Sequence, residues 1–69
     1  MNKQMLKSIM ALHGERIKDL AKVIGITPQT CSDKINERNG SEFKQGEIKA
    51  IASHYKMTEQ QLIAIFFTE

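Results

Sequence analysis

The residues best suited to chemistry lie in one short run, Thr27-Pro28-Gln29-Thr30-Cys31-Ser32-Asp33-Lys34. Gln29 carries a donor and an acceptor side by side, the pairing that matches N7 and N6 of adenine. Asp33 only accepts. It could take a hydrogen bond from cytosine N4, but it repels phosphate and needs a base or the neighbouring Lys34 to satisfy it. Pro28 or the Thr30 methyl could pack on a thymine methyl, with Ser32 facing out beside them. This is the chemistry of reading an edge by hydrogen bonds, not of breaking a bond.

Bond-breaking and metal-binding alternatives find little support. His13 and His54 fall in different predicted helices, and with Cys31 they make three soft ligands at no recognised spacing. Cys31 would need an exposed thiol beside a base to act as a nucleophile, and its position after Thr27 predicts burial instead. No phosphate-binding glycine loop and no sheltered carboxylate pair is present. The expectation is a non-enzyme that works without cofactor, metal or small-molecule ligand.

The polar run needs elements to hold it, and the flanking sequence supplies them. Ile17, Leu20, Ala21 and Ile24 recur at i, i+3, i+4 and i+7, one apolar stripe of a helix over 15–24. Gly25 follows at once and suits the left-handed residue that ends a helix. Thr27 then offers a hydroxyl cap, and Pro28 sits in the first turn of a new helix, where its missing N–H is harmless. Ile26 and Cys31 have the spacing of a hydrophobic staple, which fixes the angle of entry. Cys31 and Ile35 should point inward. Gln29, Ser32, Asp33 and Asn36 then face out, with Thr27, Pro28 and Thr30 at the tip. Residues 17–36 therefore read as a helix-turn-helix.

Small Ala21, Gly25 four residues later, apolar Ile26 and the Thr-Pro-Gln-Thr helix start together resemble the lambda-repressor/Cro-like helix-turn-helix family. Short phage and mobile-element regulators of Gram-positive bacteria look most similar. The family's five-helix layout can be traced from Asn2 to Phe67. The resemblance implies that the helix over 28–36 enters the major groove, with Pro28, Gln29, Thr30, Ser32 and Asp33 near base edges. It also implies DNA-backbone contacts around that helix from Thr27, Lys34 and Asn36. Two departures stand out. Ile17 occupies a position where the family often has a Gln that supports a phosphate contact, and Cys31 stands where a large apolar residue is common.

The rest of the chain fills in the layout. A first helix over 2–13 buries Met5, Leu6 and Ile9 with either Met10 or Leu12, and Gly14 follows as its terminator. Lys3 and Lys7 lie on the opposite face, either as solvated surface or, by the resemblance, with Lys7 on a phosphate. Arg16 and Lys18 stand near a helix N-terminus, where the dipole disfavours cations and a polyanion would relieve the misplacement. The polar loop 36–44 contains the turn signal Asn39-Gly40. Arg38 and Lys44 flank it, where the resembling family clamps the sugar-phosphate backbone.

A fourth helix over 45–55 carries Ile48, Ile51, Ala52 and Tyr55 on one face, with Phe43 and Ile48 spaced as a staple. Its start looks poorly capped, because Lys44 stands where Ser or Thr is expected and Gly46 weakens the first turn. A phosphate could fill that place by accepting from the free N–H groups. Thr58 with Gln61 forms a capping box inside a Met57–Leu62 staple, opening a fifth helix over 59–66. Leu62, Ile63, Ile65, Phe66 and Phe67 are more apolar residues than one short helix face needs. The surplus, Ile63 with Phe67 or Phe66, either forms a homodimer patch or folds back into the core.

At 69 residues the chain makes one domain, 1–69, with an all-α, compact five-helix fold. Such a chain buries only about 60% of its unfolded surface, so an added interface would help it. The net charge of +2 does not by itself mark a nucleic-acid binder. Residues 1–49 nevertheless hold nine Lys/Arg against six Asp/Glu, while 50–69 hold one against two. A single Cys excludes an intrachain disulfide and fits a reducing cytoplasm, and no apolar run reaches the ~18 residues of a membrane span. The expected function is a dimeric, Cro-like transcriptional repressor that binds double-stranded DNA at a palindromic operator in the bacterial cytoplasm. The rival is a protein-binding module, an antirepressor or antitoxin, that docks a partner through Ile63, Phe66 and Phe67. Low net charge, Asp33 on the reading face and Ile17 favour the rival. The Thr27–Thr30 turn and the Arg38/Lys44 flank favour DNA.

Overall fold

The computed structural model describes residues 1–67. They form five helices: α1 (Lys3–Leu12), α2 (Ile17–Ile24), α3 (Pro28–Ile35), α4 (Gln45–His54) and α5 (Glu59–Phe66). A single 3-10 turn, Arg38–Gly40, lies between α3 and α4, and no strand occurs among the described residues. The first four helices are a residue or two shorter than their apolar pattern suggested, because capping residues occupy the ends, and α5 has the expected bounds.

Three helix ends use one device. Glu15 N donates to Met10 O, Ile26 N to Ala21 O, and Met57 N to Ala52 O, closing α1, α2 and α4 with a bond that spans six residues. The residue before each donor adopts a left-handed conformation, as this termination requires. Gly14 (φ +66°) and Gly25 (φ +74°) do so freely, whereas α4 uses Lys56 (φ +51°) and bears the Cβ penalty.

The helix starts fall into two kinds. Asn2, Thr27 and Thr58 side chains accept from the N–H of Met5, Thr30 and Gln61. Arg16 and Lys44 have no acceptor to offer. Asp19 and Glu47 instead reach back and accept the Arg16 and Lys44 N–H groups, each at 2.8 Å. Lys44 is the N-cap of α4 and gives no side-chain cap, as expected, but the Glu47 reach-back to its N–H was not expected. A carboxylate already stands at that helix start, and its charge opposes a phosphate there.

The core is formed by Leu6, Met10, Leu20, Ala21, Cys31, Ile35, Ile51, Tyr55 and Ile65. Helix α2 packs on both α3 and α4, and α1 packs on α5. Asn2 N donates to Ile65 O, tying the start of α1 to the end of α5. Of the two candidates on α1, Met10 is buried and Leu12 is 86% exposed. The staple residues Phe43 and Ile48 are both half-buried, and the Phe43 ring meets Phe66 edge-on at 6.1 Å. The radius of gyration of 10.8 Å matches the roughly 11 Å of a folded chain this long. Five short helices thus close around one core and leave the tip of α3 outside it.

Candidate nucleic-acid interface

Helix α3 is set at a fixed angle to α2 by the Gly25 termination, the Ile26–Cys31 staple and burial of Cys31 and Ile35 at 0% exposure. Thr27 Oγ1 accepts the Thr30 N–H at 3.1 Å and donates to Thr30 Oγ1 at 2.8 Å, which rigidifies the tip. Thr27, Pro28, Gln29 and Thr30 are all exposed in consecutive positions. Ser32 and Asp33, one turn further, are half-buried. This short helix end, polar and outward-facing, has the size and chemistry to enter a major groove.

The outward side chains are linked to one another. Gln29 Nε2 donates to Asp33 Oδ1 at 3.0 Å, and Arg38 Nη1 donates to the same oxygen at 3.4 Å. The left-handed backbone at Glu37 and Asn39 turns the loop so that Arg38 comes back against α3. Asp33 is thus held by Gln29 and Arg38, and not by Lys34 as its sequence position suggested.

Lys34 faces the other way. Its Nζ donates to Glu47 Oε1 at 2.7 Å, with the two side chains only 12% and 15% exposed. Its charge is committed to α4, so the expectation that it meets a phosphate loses its basis. Burial pushes the Glu47 carboxyl up, but the Lys34 hydrogen bond, the Lys44 amide and the charges of both lysines outweigh it and hold it below the usual range. Asn36 is half-buried, and its Nδ2 donates to Ser32 O at 2.9 Å, closing α3 from within.

The remaining cations stay exposed, and three of them converge. Lys7 from α1 joins Arg16 and Lys18 around an open concavity of about 400 Å³ that Ala11, Ile17 and Glu15 also line. Nothing in the sequence placed Lys7 beside the other two, because the chain must fold before α1 and the start of α2 share a surface. Glu15 dilutes that charge. His54 Nε2 lies 2.9 Å from its Oε1, and the Tyr55 hydroxyl stands beside it without a well-formed hydrogen bond. Tyr55 and His54, in that order, lower the Glu15 carboxyl below its usual range. Arg38 and Lys44 are also exposed, at the two ends of the loop after α3.

A family model for the Cro/C1-type HTH DNA-binding domain matches residues 5–67, nearly the whole chain. The chain belongs to the Cro/C1-type helix-turn-helix family. No curated protein and no solved structure matches it. As a Cro/C1-type domain it is a DNA-binding regulator, and the exposed start of α3 after the α2 turn is the part of the fold suited to the groove. Among the described residues, no helix is long and apolar enough to cross a membrane.

Three features of this Cro/C1-type domain were not anticipated from its sequence. Glu47 joins α3 to α4, and its position three residues into α4 was a usable sign of a reciprocal cap. The Gln29–Asp33 pair is an i, i+4 hydrogen bond, also a usable sign. The Glu15–His54 pair spans 39 residues, and no local signal announces it.

Proposed function

We propose that this domain is a sequence-specific transcriptional repressor of the Cro type, which binds a palindromic operator as a homodimer. The observation that carries the reading is the exposed Thr27–Thr30 tip of α3, held by the Thr27–Thr30 hydrogen bond, with Gln29 and Arg38 both bonded to Asp33. Gln29 is the principal base reader, and Pro28, Thr30 and Ser32 complete the contact with base edges. Lys7, Arg16, Lys18, Thr27, Arg38 and Lys44 hold the DNA backbone and set register. The repressor needs no cofactor or small-molecule ligand, so its own concentration sets occupancy.

A dimer follows from the geometry of the target. One recognition helix spans a few base pairs, and a two-fold dimer sets two of them about 34 Å apart on the duplex. Ile63 on α5 and Phe67, the residue that ends it, lie four apart and are 49% and 63% exposed, which makes them the proposed dimer patch. Phe66, expected in the same patch, instead packs edge-on against Phe43 and borders the core.

The test is fluorescence anisotropy with DNA from the region upstream of the coding sequence, titrated at several salt concentrations. Saturable, sequence-selective binding is expected, with log K falling by about 0.9 per phosphate engaged for each decade of salt. Lys7→Ala, Arg16→Ala or Arg38→Ala should weaken all sequences alike and reduce that slope by about 1. Equal binding to upstream and scrambled DNA would reject the repressor reading. A protein-docking function would then take its place. A second concavity, of about 270 Å³, where Phe43, Ile48, Phe66 and Phe67 lie with Glu37 and Glu42, favours that second reading.

A further inference from the structure

We infer that Asp33 is not itself a base reader but the positioning residue that fixes the side-chain amide of Gln29 and thereby restricts its target to adenine. This inference rests on the proposal that Gln29 reads a base. An amide side chain has two orientations, related by a 180° flip, that present opposite patterns to a groove. Asp33 decides between them. Its Oδ1 lies 3.0 Å from Gln29 Nε2, and an ionised carboxylate can only accept. The flipped amide would bring Oε1 against that oxygen, two acceptors with no proton between them.

The selected orientation uses one Nε2 hydrogen on Asp33 and leaves Oε1 and the second Nε2 hydrogen free. Adenine meets that pair, with N6–H donating to Oε1 and N7 accepting from Nε2. Guanine offers two acceptors, O6 and N7, and leaves Oε1 unsatisfied. Thymine offers O4 and a methyl group, and likewise has nothing to donate to Oε1. Cytosine donates from N4 to Oε1 but has no acceptor of its own for the Nε2 hydrogen, so only adenine satisfies both.

Arg38 makes the arrangement tenable beside DNA. Its guanidinium donates to the same Asp33 oxygen at 3.4 Å and offsets a carboxylate that would otherwise face the phosphates. The side chains of Arg38 and Asp33 are 56% and 32% exposed, so neither is part of the core and both can be replaced without opening it.

The experiment is selection from a randomised duplex library with the wild-type chain, Gln29→Ala, Asp33→Asn and Asp33→Ala, with circular dichroism melts for each. The position that loses selectivity in Gln29→Ala is the one Gln29 reads. There the wild type should favour A·T by about 5- to 150-fold, the range of one good bidentate pair. Asp33→Ala and Asp33→Asn should reduce that preference to within about threefold at this position while the rest of the selected site and the melting temperature hold. Asn offers either a donor or an acceptor, so it frees the flip without changing side-chain size. Retention of the full adenine preference in both Asp33 variants overturns the inference and leaves the repressor reading intact. Loss of a C·G preference at a different position also overturns it, because Asp33 would then read a base directly. Absence of any selection by the wild type overturns both.

Discussion

Lys34 and Glu47 form an ion pair at 2.7 Å that joins the recognition helix to α4, and the same Glu47 oxygen accepts the Lys44 N–H at 2.8 Å. One carboxylate therefore fixes the end of α3 and the start of α4 together. Because its folded value is held below its ordinary 4.5, Glu47 contributes stability fully above that pH and loses it as pH falls through the lower folded value. Glu47→Gln should unfold about 1–2 kcal/mol more easily in urea at pH 7, the order of a charge-assisted hydrogen bond. The gap should shrink as pH drops below 4.5. A gap that stays constant from pH 7 to pH 3 would show that the charge pair contributes nothing.

Cys31 should behave as a buried hydrophobe. Burial pushes its thiol up to about 11, with Glu47 adding to the effect and Lys34 opposing it. An aromatic disulfide reagent at pH 8 should modify the native protein no faster than it unfolds, and the urea-unfolded chain at once. The unfolded thiol ionises near 9.0 and the folded one near 11. Stability from this group is thus complete below about pH 9 and declines as pH rises between those values. Fast labelling of the native protein would contradict the packing of α3.

Two substitutions at helix ends should act with opposite sign. Gly25→Ala places a side chain at φ +74° with nothing within 4 Å to clash, so its effect is backbone strain alone, a loss of about 1–2 kcal/mol. Lys56→Gly relieves the same strain at φ +51° and should gain up to about 1 kcal/mol. Thermal melts of both variants measure the pair. A stabilising Gly25→Ala would mean that α2 does not end as described.

The two phenylalanines at the end of α5, Phe66 within it and Phe67 just after it, should separate by role. Phe66→Ala removes a ring packed on Phe43 and should lower stability by on the order of 2 kcal/mol, less than the 3–5 of a fully buried Phe. The double variant Ile63→Glu/Phe67→Glu should leave the melting temperature nearly unchanged and, on the proposed dimer, shift sedimentation to the monomer. A variant that unfolds would place these two side chains in the core instead of on its surface.

Much of this protein was determined by local sequence, because the deciding forces there are local. The apolar period of Ile17, Leu20, Ala21 and Ile24, the left-handed Gly25 and the Thr27 and Thr58 caps each act within a few residues. They sufficed to fix the helix-turn-helix and the order of five helices. Other features depended on which surfaces meet. Lys34 could have faced phosphate or Glu47, and only the approach of α4 to α3 turned it inward. Met10 was chosen over Leu12, and Phe66 over Phe67, by the place each helix left in a shared core. Lys7 joined Arg16 and Lys18, and His54 met Glu15, only after folding brought distant segments together. Periodicity and capping are written along the chain, whereas charge pairing and the last choice of core side chain are decided by neighbours far apart in sequence.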